Sequence, residues 1–289
     1  MQAKHMTITL TSGHKTLVLG KGHPYRLRSV QGLEAAPVAI ASAPNAGMHG
    51  DTVTNVRLEA RSLVLGGTIA YLDDLERLRE RLARFLSPHE EGLCTIDYCG
   101  TKRQIGYRVE AFSIDEMANL WAPMDFSITL FCADPMLRST DSYGRNIAEY
   151  LPQFALPFCC TAEKKSIMGY RKTSNTFVLK NDGDTAVGLK AVIAAVRGPV
   201  NDPVLKNEAT GQQIGMKMTL AQGDTLTIST LPRQKQILLN GENAMMKMDR
   251  TSDLTFALTP GDNLLCYEAA DGRSNMDVRL YYTPEYLGV

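Results

Sequence analysis

The feature that most constrains this chain is a hydrophobic pattern of period two, cut into short lengths by turn residues. Residues two apart share one face of a strand, so such runs bury that face only by pairing into sheets. Thr7-Ile8-Thr9-Leu10 and Thr16-Leu17-Val18-Leu19, separated by Ser12-Gly13, predict an opening hairpin. Strands are expected again over Thr52–Glu59, Ser62–Ile69, Leu93–Tyr98, Gln104–Ala111 and Met124–Cys132, with a turn at Gly100-Thr101-Lys102. In the last of them Phe126, Ile128 and Leu130 share one face, and Asp125, Ser127 and Thr129 the other. From Asn175 onward turn signals recur with no helical pattern between them, at Asn181-Asp182-Gly183-Asp184, Gly198-Pro199, Gln222-Gly223-Asp224, Asn240-Gly241, Pro260-Gly261-Asp262 and Asp271-Gly272. That spacing predicts an antiparallel sandwich or barrel. Asn240-Gly241 is the strongest hairpin signal, because both positions of a tight hairpin turn need positive φ.

Three segments depart from the pattern. Asp73–Ser87 is the one convincing helix, with Leu75, Leu78, Leu82, Phe85 and Leu86 in one stripe and charge elsewhere. Asp73 or Asp74 can cap its first turn, and Pro88 prevents continuation. Ser29–Gly50, rich in Ala, Pro and Gly, reads as a long loop or extended arm that reaches a neighbouring subunit. Asp134–Thr176, holding Pro135, Pro152 and Pro157, reads as a linker plus the opening of a second unit. A chain of 289 residues favours two domains, expected over residues 1–137 and 138–289.

Nothing in the sequence assembles into a catalytic, cofactor or metal site, and the expectation is a protein that is not an enzyme. The histidines His5, His14, His23, His49 and His89 lack zinc-ligand spacing with cysteine partners. Cys94 and Cys99 are five apart on a strand and point to opposite faces. Cys159-Cys160 is a vicinal pair, and with Cys132 and Cys266 the six thiols show no disulfide framework. Asp73, Asp74, Glu76, Glu80, Glu90 and Glu91 fall on a helix's polar face or in loops. Gly66-Gly67 lies in a strand run, where a bulge is the usual cause. Arg77, Arg79, Arg81 and Arg84 alternate with Glu76 and Glu80, so i,i+4 pairing accounts for them. Lys+Arg and Asp+Glu are both 31, which excludes a strongly basic nucleic-acid-gripping surface. No run approaches the roughly 18 apolar residues of a membrane span, and Met1–Gly20 lacks the apolar core of a signal peptide.

The order of several strings resembles the siphophage distal tail protein family, the Dit-type tail component. The likeness begins near Gly32-Leu33 and continues through Arg57-Leu-Glu-Ala-Arg-Ser-Leu-Val-Leu-Gly-Gly-Thr-Ile69. It takes in the Leu75–Pro88 helix, Arg103-Gln-Ile-Gly-Tyr-Arg-Val-Glu-Ala111 and Phe131-Cys-Ala-Asp-Pro-Met-Leu137. In the second half it covers Gly223-Asp224-Thr-Leu-Thr-Ile228, Asn240-Gly241, Pro260-Gly261-Asp-Asn263 and Tyr281-Tyr282. The resemblance implies an N-terminal β-barrel-like domain with one helix, closing a homohexameric ring, and a C-terminal galectin-like antiparallel β-sandwich. It further implies a hub at the distal end of the tail tube, in the virion, assembled in the bacterial cytoplasm. Its partners would be the tube protein and tail-tip, tail-associated lysin or receptor-binding proteins, with DNA only passing through an axial channel. Arg57, Arg61, Leu63 and Leu65 are the expected ring-interface residues, with core packing the competing reading of the two leucines. A galectin-like sandwich also raises carbohydrate-binding host recognition, but the single tryptophan, Trp121, falls in the first domain.

Overall fold

The computed structural model describes residues 6–69, 74–115, 123–141, 143–146, 150–152, 169–171 and 176–289. Expectations resting on His5, Asp73, the stretch around Asn119, Trp121, Pro157, Cys159 and Cys160 lie outside these residues. The chain divides into two units, Met1–Thr140 with Glu285–Val289 in one and Asp141–Pro284 in the other. The last five residues thus return to the first unit, which a single boundary at 137/138 does not provide for.

The first unit contains β1 (Met6–Ser12), β2 (Lys15–Gly20), β3 (Tyr25–Gln31), β4 (Val38–Pro44), β5 (Asp51–Leu58), β6 (Arg61–Ile69), α1 (Leu75–Phe85), β7 (Glu91–Tyr98), β8 (Thr101–Ile114), β9 (Met124–Cys132) and β10 (Leu137–Ser139). Seven of these strands run in the order β8-β7-β1-β2-β3-β6-β9, and β9 pairs back onto β8 to close a barrel. Closure removes the free sheet edges that an open sheet of this length would expose. Alternation fills the interior: Ile8, Leu10, Leu17, Leu19, Leu63, Leu65, Ile96, Ile128 and Leu130 are buried to within 1% exposure. The chain turns between β7 and β8 at Cys99-Gly100, both with positive φ, slightly before the expected position.

Helix α1 covers the barrel with Leu75, Leu82 and Phe85, aided by Leu86 and the half-buried Leu78. It begins at Leu75, with the stripe, and ends at Phe85, two residues short of the expected Ser87. Asp74 occupies the N-cap position but makes no side-chain cap bond. Tyr25 fixes the helix instead, its hydroxyl donating to Leu78 O at 2.9 Å while its ring meets Phe126 edge-on.

Strand β3 was not foreseen. It carries a bulge at Arg28, since Leu27 pairs with Gly67 and Ser29 with Gly66. The extra residue breaks the two-residue period between Leu27 and Val30. The bulge anticipated at Gly66-Gly67 thus lies directly across the ladder from them. Both glycines have a steric reason as well: a Cβ on Gly67 would stand 2.4 Å from the Phe126 ring and 2.7 Å from Arg26 O. Gly67→Ala is therefore expected to destabilise the protein by about 1–3 kcal/mol through overpacking. Urea denaturation measures it, and an unchanged midpoint would show that the ring can shift freely.

The largest departure lies in Ser29–Gly50, expected as a long loop or extended arm, which supplies a strand that pairs with the one expected at Thr52–Glu59. Val38–Pro44 and Asp51–Leu58 form an antiparallel hairpin that bonds to no other described strand. Its register shifts after Ala41, which pairs with Asn55, whereas Ser42 pairs with Val53. Thr54 is the extra residue, its hydroxyl donating to Ala41 O at 3.0 Å.

In the second unit, a six-stranded and a four-stranded antiparallel sheet share one core that includes Leu179, Ala191, Ile193, Leu205, Leu226, Ile228, Leu265 and Val278. The expected Asn-Gly hairpin is present, with φ of 50° at Asn240 and 91° at Gly241. The Asn240 side chain accepts from Thr225 N and donates to Asp224, tying this turn to its neighbour. Buried Asn181, Asn207 and Asn263 carry the polar loops inward, each satisfied by backbone or by one another.

Candidate interaction surfaces

Among the described residues of the first unit, the β4–β5 arm presents the most exposed apolar surface. Without the bulge, Val53 and Val56 would point to opposite faces, because they are three apart. The extra Thr54 brings both onto the face that carries Val38 and Ile40. The four side chains are 46–63% exposed, and Met48 near the tip is 73% exposed. A two-stranded hairpin alone is at best marginally stable in water, and a contiguous exposed apolar stripe marks an interaction site. Asp51 anchors the distal end, accepting a hydrogen bond from the Ser42 hydroxyl, while Thr52 donates to Asn45.

The four residues expected at a subunit interface separate in the structure. Arg57 lies exposed on β5, within the arm. Leu63 and Leu65 are fully buried in the barrel core, as the competing reading of them held. Arg61 is 1% exposed, and its guanidinium works inward. Nη1 donates to Gly32 O and Glu34 O at 3.1 Å, and Nη2 to Leu287 O at 2.5 Å. Burial lowers its pKa from the ordinary arginine value, with Cys132 and Glu34 acting in the opposite sense. The returning chain end is held further by the Glu285–Tyr286 strand on β10, by an Arg138–Glu285 ion pair at 3.1 Å, and by Arg103 stacked 3.5 Å from the Tyr286 ring centre.

In the second unit, Val178 and Leu264 sit directly opposite each other on the outer face of the four-stranded sheet, 49% and 40% exposed. Ion pairs Lys180–Asp182 and Lys206–Glu268 flank them. This apolar centre with a charged rim has the composition of a protein-docking patch. On the six-stranded sheet Tyr281 is half-exposed and stands across from Lys190, beside the Arg279–Asp277 pair.

The chemistry-bearing residues stay apart. Cys94 is buried in the barrel and Cys99 exposed in a turn. Burial pushes the Cys132 thiol up to about 11 and raises Cys94 as well, so neither supplies a thiolate near neutral pH. His14, His49 and His89 are exposed and His23 half-buried. No group of three or more His, Cys, Asp or Glu among the described residues is placed to hold a metal ion. No described helix is long and apolar enough to cross a membrane. Of the helix arginines, Arg79 pairs with Glu76 and Arg84 with Glu80. Arg77 and Arg81 have no carboxylate partner among the described residues, so helical pairing accounts for half of the cluster.

Comparison with known proteins follows the division into two units. Residues 13–132 match the family profile described as a phage tail protein RIFT-related domain. Residues 182–286 match that of the siphovirus-type tail component, C-terminal domain. No curated protein matches the chain by sequence. Among solved structures the fold is similar to the Dit protein (gp 19.1) of phage SPP1, described as a paradigm of the hub adsorption apparatus in phages infecting Gram-positive bacteria. That likeness has a TM-score of 0.67 at 14% identity and covers 97% of this chain and 99% of the other. A chain of the phage p2 baseplate in its activated conformation with Sr is similar at a TM-score of 0.50 and 10% identity, over 97% and 98% of the two chains.

Proposed function

The chain belongs to the siphovirus-type tail component family, a structural part of the phage tail, and on that premise we propose that it closes a homohexameric ring at the distal end of the tail tube. In this reading the ring joins the tube protein to tail-tip, lysin or receptor-binding proteins and surrounds a channel through which DNA passes without sequence-specific contact. Assembly takes place in the bacterial cytoplasm before the ring enters the virion. The observation that carries the reading is the β4–β5 arm, whose apolar stripe is exposed in the isolated chain. A copy related by rotation can cover such a stripe with a different patch of its own surface, which is the heterologous contact that builds rings. Arg57 shares the arm but, paired with Ala39, stands on the face opposite the stripe, whereas Arg61 acts upstream of the contact by holding the barrel together.

Val178 and Leu264 suit attachment of another tail protein to the second unit. Tyr281, with Lys190 and the Arg279–Asp277 pair around it, favours a second reading in which this unit recognises carbohydrate, since sugars stack on aromatic faces edged by polar groups. Native mass spectrometry and negative-stain imaging of the purified chain test the first reading. Rings of six are expected, alone or on addition of tube protein; a chain that stays monomeric under both conditions sinks the proposal. A glycan array distinguishes the second reading, with saturable binding lost in Tyr281→Ala.

A further inference from the structure

We propose that the cleft between α1 and the β1–β2 turn is a docking site for an acidic, partly apolar peptide segment of a partner protein. The cleft has a volume of about 590 Å³, with His14, Lys15 and Thr16 on one wall and the α1 face carrying Arg77, Arg81 and Arg84 on the other. Leu78 and Phe85 line it between these charges. Among the described residues four cationic side chains line the cleft with two acidic ones, Asp74 and Glu80, although the whole chain is neutral.

The ion pairs identify the cations that remain available. Lys15 is turned toward Glu90 at 3.6 Å, and Glu90 also accepts from the Ser12 hydroxyl. Arg84 is bound to Glu80 at 2.5 Å. Arg77 and Arg81 are exposed and have no carboxylate partner among the described residues. They are four apart on one helix, so their Cβ atoms lie about 6 Å from each other. Acidic residues two apart in an extended segment stand about 7 Å apart on one face. The two spacings are commensurate, and each guanidinium can grip one carboxylate through two parallel bonds.

A peptide fits this cleft better than nucleic acid does. A phosphate backbone favours an uninterrupted run of cations, and here Asp74 and Glu80 stand among them. The apolar Leu78 and Phe85 have no counterpart on a sugar–phosphate chain but match the aliphatic residues of an acidic peptide. The proposal goes beyond ring closure and does not depend on it, because the cleft lies within one first unit and its test needs no assembly.

The test uses the full chain and a fluorescein-labelled peptide of the repeat Glu-Ser-Glu-Ser-Leu-Ser, which sets glutamates and leucine on one face of an extended segment, followed by fluorescence anisotropy. Saturable binding is expected, weakening as salt rises. The double variant Arg77→Glu, Arg81→Glu should bind about tenfold or more weakly. Arg79→Ser removes a charge from the same helix outside the cleft and should bind as the wild type does. The same peptide with glutamine in place of each glutamate should not bind. The proposal is overturned if the wild type shows no saturable binding, if Arg79→Ser loses as much as the double variant, or if a short DNA duplex binds more tightly at the same ionic strength.

Discussion

Arg61→Ala is expected to lower the stability of the first unit by about 3–5 kcal/mol, the scale for removing one member of a buried charged network. Two segments of backbone depend on this side chain: the turn after β3, through Gly32 O and Glu34 O, and the returning chain end, through Leu287 O. Alanine would leave these carbonyls without their donor and open a cavity where a fully buried side chain stood. The turn has little freedom to adjust, because Gly32 has φ of 87° and a Cβ there would meet Ser62 O at 2.2 Å. Arg61→Lys keeps the charge, but one ammonium cannot span acceptors on two segments, so an intermediate loss is expected. Removing Glu285–Val289 should reproduce part of the effect, since it takes away Leu287 O together with the Arg138–Glu285 and Arg103–Tyr286 contacts. Chemical denaturation gives the magnitude, and hydrogen exchange of peptides from β6 and β10 locates it. A loss under about 1 kcal/mol would show that the clamp is dispensable.

Ile40→Asp combined with Val56→Asp is expected to abolish ring formation while leaving the melting of the monomer close to that of the wild type. The two residues are paired across the arm and are 63% and 60% exposed, so the isolated chain has little to lose at either site. In a ring the same positions would place two carboxylates in a desolvated apolar contact, and unpaired buried charge is strongly unfavourable. Native mass spectrometry of the variant should give monomer alone where the wild type gives rings. Rings that persist in the double variant would remove the arm from the subunit contact.

The parts of the fold legible in the sequence were those whose period ran unbroken. β9 keeps strict alternation from Met124 to Cys132 and was read to the residue. The stripe Leu75, Leu78, Leu82 and Phe85 marked α1, and Asn240-Gly241 marked its hairpin through the φ that the turn demands. β3 and the first strand of the arm, β4, were missed, whereas β5 was expected as Thr52–Glu59 despite its bulge at Thr54. In β3 the bulge at Arg28 shifts the apolar positions Leu27 and Val30 from two apart to three. In β4 only Val38 and Ile40 keep the period before Ser42 and Pro44, so a pattern search at period two finds too little in either strand. The arm had a second disguise, because neither face is buried within its own chain and no contrast between faces was available to read.

Arg61 shows the same limit at a single residue. Its type and its place at the head of β6 suggested a surface contact, yet its acceptors are backbone carbonyls, which carry no residue-specific signature. One of them lies 226 positions away. Arg77 and Arg81 were read as members of helical pairs, and whether a given arginine finds its glutamate depends on the rotamers and on the turn facing the helix.

By itself the sequence determined the β class, the single helix and its buried face, the hairpin at Asn240-Gly241, and the family to which the ordered strings belong. These follow from local rules, namely side-chain alternation, helical spacing and the φ preferences of turn residues, which need no knowledge of what lies across the ladder. Only the tertiary structure decided that β9 closes on β8, that the last five residues complete the first unit, that Arg61 is a buried clamp, and that a bulge turns four apolar side chains of the arm to one face. Each of these depends on register or on a contact between residues far apart in the chain, and the chain's local preferences are nearly the same whether or not that contact forms.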